Sequence, residues 1–298
     1  MSSNEIFSSE METTKQRVSE FRRVIKIMFD RRIVLIGAVI TLLAIIVAIF
    51  APLIAPYDPY TQDLKAMRQK PSTEHLLGTD EFGRDVFSRL IVGTRISLLV
   101  GAVAVVIAGA LGILLGLLAG YFGGWANAVI MRFVDALLAL PPMVLILAIA
   151  ALLGGGLNNV LIAIGVGMMP TYCRLMCGQV LSLKSSDYII ASHTIGAGNL
   201  RVMFRHLLPN AFPPMLVLLT INLGTAILIE ASLSFLGVGI KPPVPTWGGM
   251  VNSGYPYLLS NPLLSFVPGC VILIVVLSVN MVGDGLRDAL DPKLRGVL

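Results

Sequence analysis

Charged side chains are scarce in this sequence. Asp, Glu, Lys and Arg make up only 13% of its 298 residues, about half the share expected of a soluble domain. Hydrophobic residues make up 56%, and the mean hydropathy is +0.84. A soluble core of this size does not need so much apolar surface, whereas a helical bundle in lipid does. The composition therefore predicts an all-α integral membrane protein.

Catalytic motifs are absent as well. The sequence has no G-x-x-x-x-G-K-[ST] and no Gly-Lys pair, which excludes a P-loop, and it has no H-E-x-x-H zinc motif. An intramembrane aspartyl protease needs two facing aspartates, and the candidates, Asp135 and Asp284, both fall near predicted helix ends. Asp135 is better explained by a local ion pair with Arg132. We expect no enzyme activity in this chain.

The three cysteines, Cys173, Cys177 and Cys270, all lie in apolar stretches. Cys173 and Cys177 are one helical turn apart, but no histidine or carboxylate nearby completes a metal site. We interpret them as small apolar residues of membrane helices and expect neither a metal nor a disulfide framework.

Long runs without charge predict six membrane-spanning helices, each long enough to cross about 30 Å of hydrocarbon. The first 32 residues are polar and the apolar run after them is too long for a signal peptide, so we expect this run to be retained as the first span. The predicted helices cover residues 33–55, 95–120, 126–152, 158–180, 210–237 and 263–284.

The distribution of Lys and Arg predicts the orientation. Basic residues concentrate in the tail 1–32, in the segment 181–209 and after 284. Six spans put all three on one side, which is then cytoplasmic together with both termini. The predicted organisation is a cytoplasmic tail (1–32), a first transmembrane segment (33–57), an extracytoplasmic loop with an interfacial helix (58–94), a five-helix core (95–290) and a cytoplasmic tail (291–298). The outer loop also carries basic residues, balanced by acidic ones.

Glycine recurs at every fourth position along the second predicted helix, at Gly112, Gly116, Gly120 and Gly124. This spacing lets a neighbouring helix approach closely along one face. A static packing surface and a sliding surface used in gating are both compatible with the pattern.

The segment 184–209 is the most polar stretch after the N-terminal tail. Ser185, Ser186 or Asp187 can cap the start of a short helix, and Gly196 or Gly198 can end it. Such a helix between two membrane spans is either a docking element for a soluble partner or an ordinary interfacial helix.

The same segment resembles the "EAA…G…LP" coupling motif of ABC importer permeases. Ala191, Gly196 and Leu208-Pro209 match it, whereas Ile190 replaces the glutamate and Ser192 the second alanine. In that family the segment docks on the cytoplasmic ATPase. The residues that the resemblance assigns to this contact are Asp187, Tyr188, Ala191, Ser192, Gly196, Ala197, Leu208 and Pro209.

Three further stretches resemble the C-type permeases of dipeptide and oligopeptide importers. They are LGTDEFGRDVFSRL at 77–90, SLSFLGVG at 232–239 followed by Pro242-Pro243 and Trp247-Gly248, and GDGLRDALDP at 283–292. Four motifs in the family's order make the resemblance specific.

The resemblance implies a type I ABC importer permease fold with a cytoplasmic coupling helix, in a prokaryotic cell membrane. It also implies a second homologous permease, two ABC ATPase subunits that hold ATP and Mg²⁺, and an extracytoplasmic substrate-binding protein. No cofactor is expected in this chain and no nucleic acid among its partners. The implied cargo is a peptide, while relatives for nickel, glutathione or opine-like solutes leave other cargoes open.

Two other classes of function stay open. A secondary transporter would need midplane ion-coupling residues and internal repeats, and no clear repeat is visible. A structural assembly subunit is also compatible with the sequence.

The charges Asp80, Arg84, Asp85 and Arg89 alternate at helical spacing before the second predicted helix. They fit intrahelical ion pairs on an interfacial helix, or a docking site for the binding protein.

Glu230 lies inside the fifth predicted helix, where an unpaired carboxylate is costly. It is either part of the translocation path or a hydrogen-bonded structural group. Asn222 and Asn280 are candidates for the same path, with helix packing as the alternative.

Overall fold

The computed structural model describes residues 31–290, and its regular elements in that range are helices. Short 3-10 turns at Leu64–Ala66 and Tyr255–Tyr257 supplement them, and α7 includes a π-helical stretch at Val202–Leu207. The α-helices are α1 (Arg32–Ile54), α2 (Val86–Phe122), α3 (Gly124–Leu138), α4 (Pro142–Leu153), α5 (Leu157–Lys184), α6 (Asp187–Thr194), α7 (Asn199–Phe235), α8 (Trp247–Gly254) and α9 (Leu263–Leu290). The tails 1–30 and 291–298 lie outside the described residues.

Five of these helices, α1, α2, α5, α7 and α9, are long and apolar enough to cross a membrane. The pair α3 and α4 is bent by 91° and makes a sixth crossing if the two count as one span. The prediction of one continuous third helix over 126–152 is therefore wrong. Pro141 and Pro142 stand at the break; a residue before proline avoids the helical region, so the chain leaves the helix after Leu138 and restarts at Pro142.

The second helix begins at Val86, earlier than the predicted position 95. Asp85 caps it, since its carboxylate accepts a hydrogen bond from the backbone N–H of Ser88 at 2.7 Å. The predicted interfacial helix of the loop 58–94 is thus not a separate element. The first part of this loop forms turns, and the last residues of the loop are the start of α2.

The bundle has two ends, which we name after the short helix at each. At the α6 end, Lys184 Nζ donates to the carbonyl of Tyr121 at 2.6 Å, joining the ends of α5 and α2. At the α8 end, Trp247 Nε1 donates to the carbonyl of Leu90 at 3.4 Å, joining α8 to the first turns of α2. Every long helix runs between these two ends.

Close packing of α2 against α5 depends on three glycines. A Cβ built on Gly112 would lie 2.5 Å from Tyr172 Cβ, and one on Gly120 would lie 2.7 Å from Val180 Cβ. At Gly116 an added Cβ would meet the carbonyl oxygen of Cys173. Gly124 has nothing within 4 Å and begins α3, so it is not part of this surface. The fit at these three positions supports the static packing interpretation.

Candidate functional site

The short helix predicted in the 184–209 segment is present as α6, preceded by Ser186. Its end is a Schellman motif. The N–H of Gly196 donates to the carbonyl of His193 at 2.9 Å, and the N–H of Ala197 donates to the carbonyl of Ser192 at 3.0 Å. Gly196 has φ +81°, a conformation that L side chains rarely adopt, so glycine is favoured at this position.

One face of α6 is fixed to the bundle and the other is free. Ile189 is buried in a cluster with Leu117, Val202 and Leu207, which come from α2 and α7. The side chains of Tyr188 and Ile190 are 41% and 55% exposed. A rigidly anchored helix with an exposed, partly apolar face is suited to transmit force from a soluble partner.

Most of the residues assigned to this contact are accessible to a partner. Asp187, Tyr188, Ala191, Gly196 and Pro209 are exposed, Ala197 and Leu208 are half-buried, and Ser192 is buried.

The chain between α6 and the regular part of α7 is also held in place. Tyr121 Oη donates to Asn199 Oδ1 at 2.8 Å, which ties the end of α2 to the start of α7. The π-helical stretch Val202–Leu207 follows, directly before Leu208-Pro209. The sequence did not predict this stretch. Its only signal was Pro209, which cannot donate a backbone hydrogen bond to the preceding turn.

Three of the four charges predicted to pair along an interfacial helix form ion pairs, but not along a helix. Arg84 Nε donates to Asp80 Oδ2 at 2.7 Å within a turn, and Arg89 Nε lies 3.4 Å from the same oxygen. Asp85 Oδ1 lies 2.9 Å from Nδ1 of His75. All four are less than 10% exposed. They brace the segment before α2, and a docking role for them stays a prediction.

These charges lie beside a cavity of about 150 Å³ at the α8 end. Arg84, Arg89 and the exposed Lys241 are among the residues that line it. Glu81 lines the cavity too. Desolvation raises the pKa of its carboxyl, the negative charge of Asp80 raises it further, and the positive charge of Arg84 opposes the rise. Lys241 was missed by the sequence analysis because only the fold brings it to this cavity.

Glu230 is fully buried between helices. Its Oε1 accepts a hydrogen bond from Ser234 Oγ at 2.8 Å, and its Oε2 accepts one from Ser97 Oγ on α2 at 3.3 Å. Ser97 Oγ in turn accepts a hydrogen bond from the backbone N–H of Trp247 at 3.3 Å. Glu230 therefore connects α7, α2 and the start of α8, a geometry that favours the structural interpretation.

We expect Glu230→Ala to destabilise the chain by about 1–3 kcal/mol, because it leaves the hydroxyl of Ser97 buried without this partner. The same substitution should lower uptake by the transporter, while the complex still assembles. Glu230→Gln keeps a hydrogen-bond acceptor and should retain most of the stability and most of the uptake. Thermal unfolding and uptake, measured side by side, test this, and wild-type values from the alanine variant would contradict it.

Asn222 and Asn280 lie apart from Glu230. Asn222 Nδ2 donates to Tyr172 Oη at 3.0 Å, joining α7 to α5. Asn280 packs on Gly224, where an added Cβ would lie 2.5 Å from its Oδ1, and this oxygen has no hydrogen-bond partner among the described residues. The structure thus does not gather the three proposed path residues at one point.

The local ion pair expected for Asp135 is wrong. Asp135 Oδ1 accepts a hydrogen bond from Arg174 Nη2 on α5 at 2.6 Å, and Arg132 has no salt bridge within residues 31–290. The sequence carried no signal for this pair, because the contact depends on how α3 crosses α5.

Two family models match the chain. Residues 112–296 match the model described as "Binding-protein-dependent transport system inner membrane component". Residues 19–71 match the "N-terminal TM domain of oligopeptide transport permease C".

Curated relatives match over most of their length. The di/tripeptide transport system permease protein DppC of Pseudomonas aeruginosa is 47% identical over 87% of this chain and 88% of its own. The dipeptide transport system permease protein DppC of Alkalihalophilus pseudofirmus is 43% identical over 93% and 91%. The glutathione transport system permease protein GsiD of Pectobacterium atrosepticum is 42% identical over 85% of each chain.

Among solved structures, an inward-facing conformation of the MetNI methionine ABC transporter matches with a TM-score of 0.55 and 22% identity. The match covers 68% of this chain and 97% of the other, and it supports the ABC permease fold. Together with the four sequence motifs, these matches show that the chain belongs to the family of binding-protein-dependent transport system inner membrane components, as a C-type permease with no ATPase site of its own.

Proposed function

We propose that this chain is one of two membrane-spanning subunits of an ATP-driven importer for di- and oligopeptides. The observation that carries the ATP-driven part is α6, whose Ile189 is buried in the bundle while Tyr188 and Ile190 are exposed. The peptide cargo is supported by the dipeptide permeases that are 43% and 47% identical to it over most of their length.

In this proposal the α6 end is cytoplasmic, with both termini on that side of a prokaryotic cell membrane. Two ABC ATPase subunits hold ATP and Mg²⁺ and bind α6 and the residues up to Pro209. A second homologous permease completes the path. The basic segment around α6, with Lys184, Arg201 and Arg205, supports the orientation.

At the opposite end, the proposed partner is an extracytoplasmic substrate-binding protein. The buried polar contacts of Asp80, Arg84, Asp85 and Arg89 hold the outer segment in a fixed shape, which presents Lys241 and the cavity beside it. These residues support docking by shaping the surface rather than by direct contact.

The mechanism we propose is alternating access. Closure of the ATPases moves α6, and its anchoring cluster passes the movement to α2 and α7. The bundle then changes between inward-open and outward-open states. A lining role for Asn222 and Asn280 stays a prediction, and Glu230 keeps α7 fixed to α2 during the change.

Glutathione is a second candidate cargo, because a glutathione permease is 42% identical over 85% of both chains. Reconstitution with the partner subunits and binding protein separates the candidates. We expect uptake of di- and tripeptides that requires ATP hydrolysis and persists without an ion gradient. Uptake driven by an ion gradient without ATP would contradict the proposal, and uptake of glutathione alone would replace the cargo.

A further inference from the structure

The pair Asp135–Arg174 lies deep in the bundle yet open to its surroundings. Arg174 is followed by ten residues of α5 and preceded by seventeen, which places it about 15 Å from the α6 end and about 26 Å from the other. The two side chains are 51% and 55% exposed. Charged groups at this depth avoid lipid, so another medium or molecule must cover them.

Near Arg174, most of the exposed residues of α5 are polar or small, and Leu181 is the large apolar exception. Thr171, Arg174, Gly178 and Ser182 are exposed at successive turns towards the α6 end. Together they form a polar stripe. Gly178 has nothing within 4 Å, so the space beside the stripe is open. A polar stripe that continues from the membrane interior to one end of the bundle is typical of the wall of a water-filled cavity.

Helix α3 separates this stripe from an apolar surface. Val129 and Phe133 are exposed on one side of it. Asp135 follows Phe133 by two residues, about 200° around the helix, and so lies nearly opposite. The apolar side is suited to lipid, and the side that carries Asp135 faces the polar stripe.

The guanidinium of Arg174 has capacity for a second partner. Asp135 accepts from Nη2, and no other hydrogen bond to the Arg174 side chain is present in the described range. Arginine has five donors in a planar fork that matches a carboxylate. Arg132, one turn before Asp135, is exposed as well and makes the local charge positive.

We propose that Arg174 is a carboxylate-binding position in the translocation path, which Asp135 occupies when no solute is present. The ligand class is a small solute with a free carboxylate, such as the C-terminus of a peptide. The carboxylate of a passing solute displaces Asp135 from Arg174, and Asp135 then displaces the solute in turn. This competition keeps the solute from staying bound to Arg174. This inference rests on the proposed importer function and adds a contact with its cargo.

The first test asks whether water reaches the stripe. In the assembled transporter in proteoliposomes, a charged, membrane-impermeant methanethiosulfonate present on both sides of the membrane should label Gly178→Cys and leave Phe133→Cys on the apolar side unlabelled. The wild-type chain gives the baseline, because Cys173 and Cys177 are buried and Cys270 is half-buried. An unlabelled Gly178→Cys would mean that lipid or the second permease covers the stripe, and it would overturn the proposal whatever the cargo is.

The second test asks whether Arg174 recognises the carboxylate. Uptake of one peptide with a free C-terminus and of its C-terminal amide is measured with saturating binding protein, after the binding of each to that protein has been measured. Arg174→Gln should slow the free peptide at least tenfold relative to wild type and leave the rate of the amide unchanged.

Equal losses for both peptides would assign the pair to structure alone, and no loss for either would remove Arg174 from the path. Either result overturns the proposal. If the wild-type transporter does not take up the amide, the uptake rate of the free peptide and the cysteine labelling decide whether the proposal holds. Failure of wild type to take up any peptide with ATP would instead contradict the importer function.

Discussion

Replacing Gly196 by aspartate should abolish the attachment of the ATPase subunits and reduce uptake at least tenfold. Gly196 has φ +81°, where a residue with a Cβ is strained by about 1–2 kcal/mol, and it closes the Schellman motif of α6. The new carboxylate would also project into the space where the partner binds, since nothing lies within 4 Å of Gly196. Co-purification of the ATPases and ATP-driven uptake measure the effect.

Gly154→Asp is the matched control. Gly154 ends α4 with φ +87° and has nothing within 4 Å, so the strain and the added charge are the same, but it lies at the α8 end. This variant should keep its ATPases. If Gly196→Asp also keeps them together with wild-type uptake, α6 is not the coupling element.

The second large effect is expected at Gly116. A side chain there would meet Cys173 and Met176 of α5, with the Cβ of valine 2.7 Å from Met176 Cβ. Backbone atoms cannot move aside as a flexible side chain does, so Gly116→Val should separate α2 from α5. Overpacking of this kind costs about 1–3 kcal/mol, and contact with backbone puts this position at the upper end. We expect a lower melting temperature and less folded chain in detergent.

Gly269→Val tests whether the loss comes from packing. Gly269 is in α9 and has nothing within 4 Å, so the same substitution adds the same β-branched side chain without a clash. It should retain the wild-type melting temperature. Equal loss in both variants would attribute the effect to helix propensity, and no loss at Gly116 would mean that α2 and α5 are further apart than described.

Features set by neighbouring residues could be predicted from the sequence. The bounds of α6 followed from its capping residues and its glycine, and the glycines of α2 gave its packing face. The break between α3 and α4 could not be predicted in this way. Pro170 lies inside α5 without ending it, whereas Pro141 marks a bend of 91°. Whether a proline ends a membrane helix depends on the neighbours that satisfy the freed carbonyl groups.

The same distinction between local and long-range contacts applies to the candidate sites. The short helix of the proposed coupling segment was predicted because its residues are contiguous. The pairing of Arg174 with Asp135 and the place of Lys241 at the outer cavity depend on contacts between distant parts of the chain. For the charges near Asp80, the pairing was predicted but the burial was not. Their spacing suggested an exposed helix. The structure instead buries them in turns and at the start of α2, through contacts that the spacing does not reveal.

The most direct test of the central claim is to purify the tagged chain in mild detergent and identify what accompanies it by mass spectrometry. Our account predicts a second six-span permease and P-loop ATPases, with the ATPases lost from Gly196→Asp and retained by Gly154→Asp. Recovery of this chain alone, or only as a homo-oligomer, would contradict it and would favour a self-contained transporter.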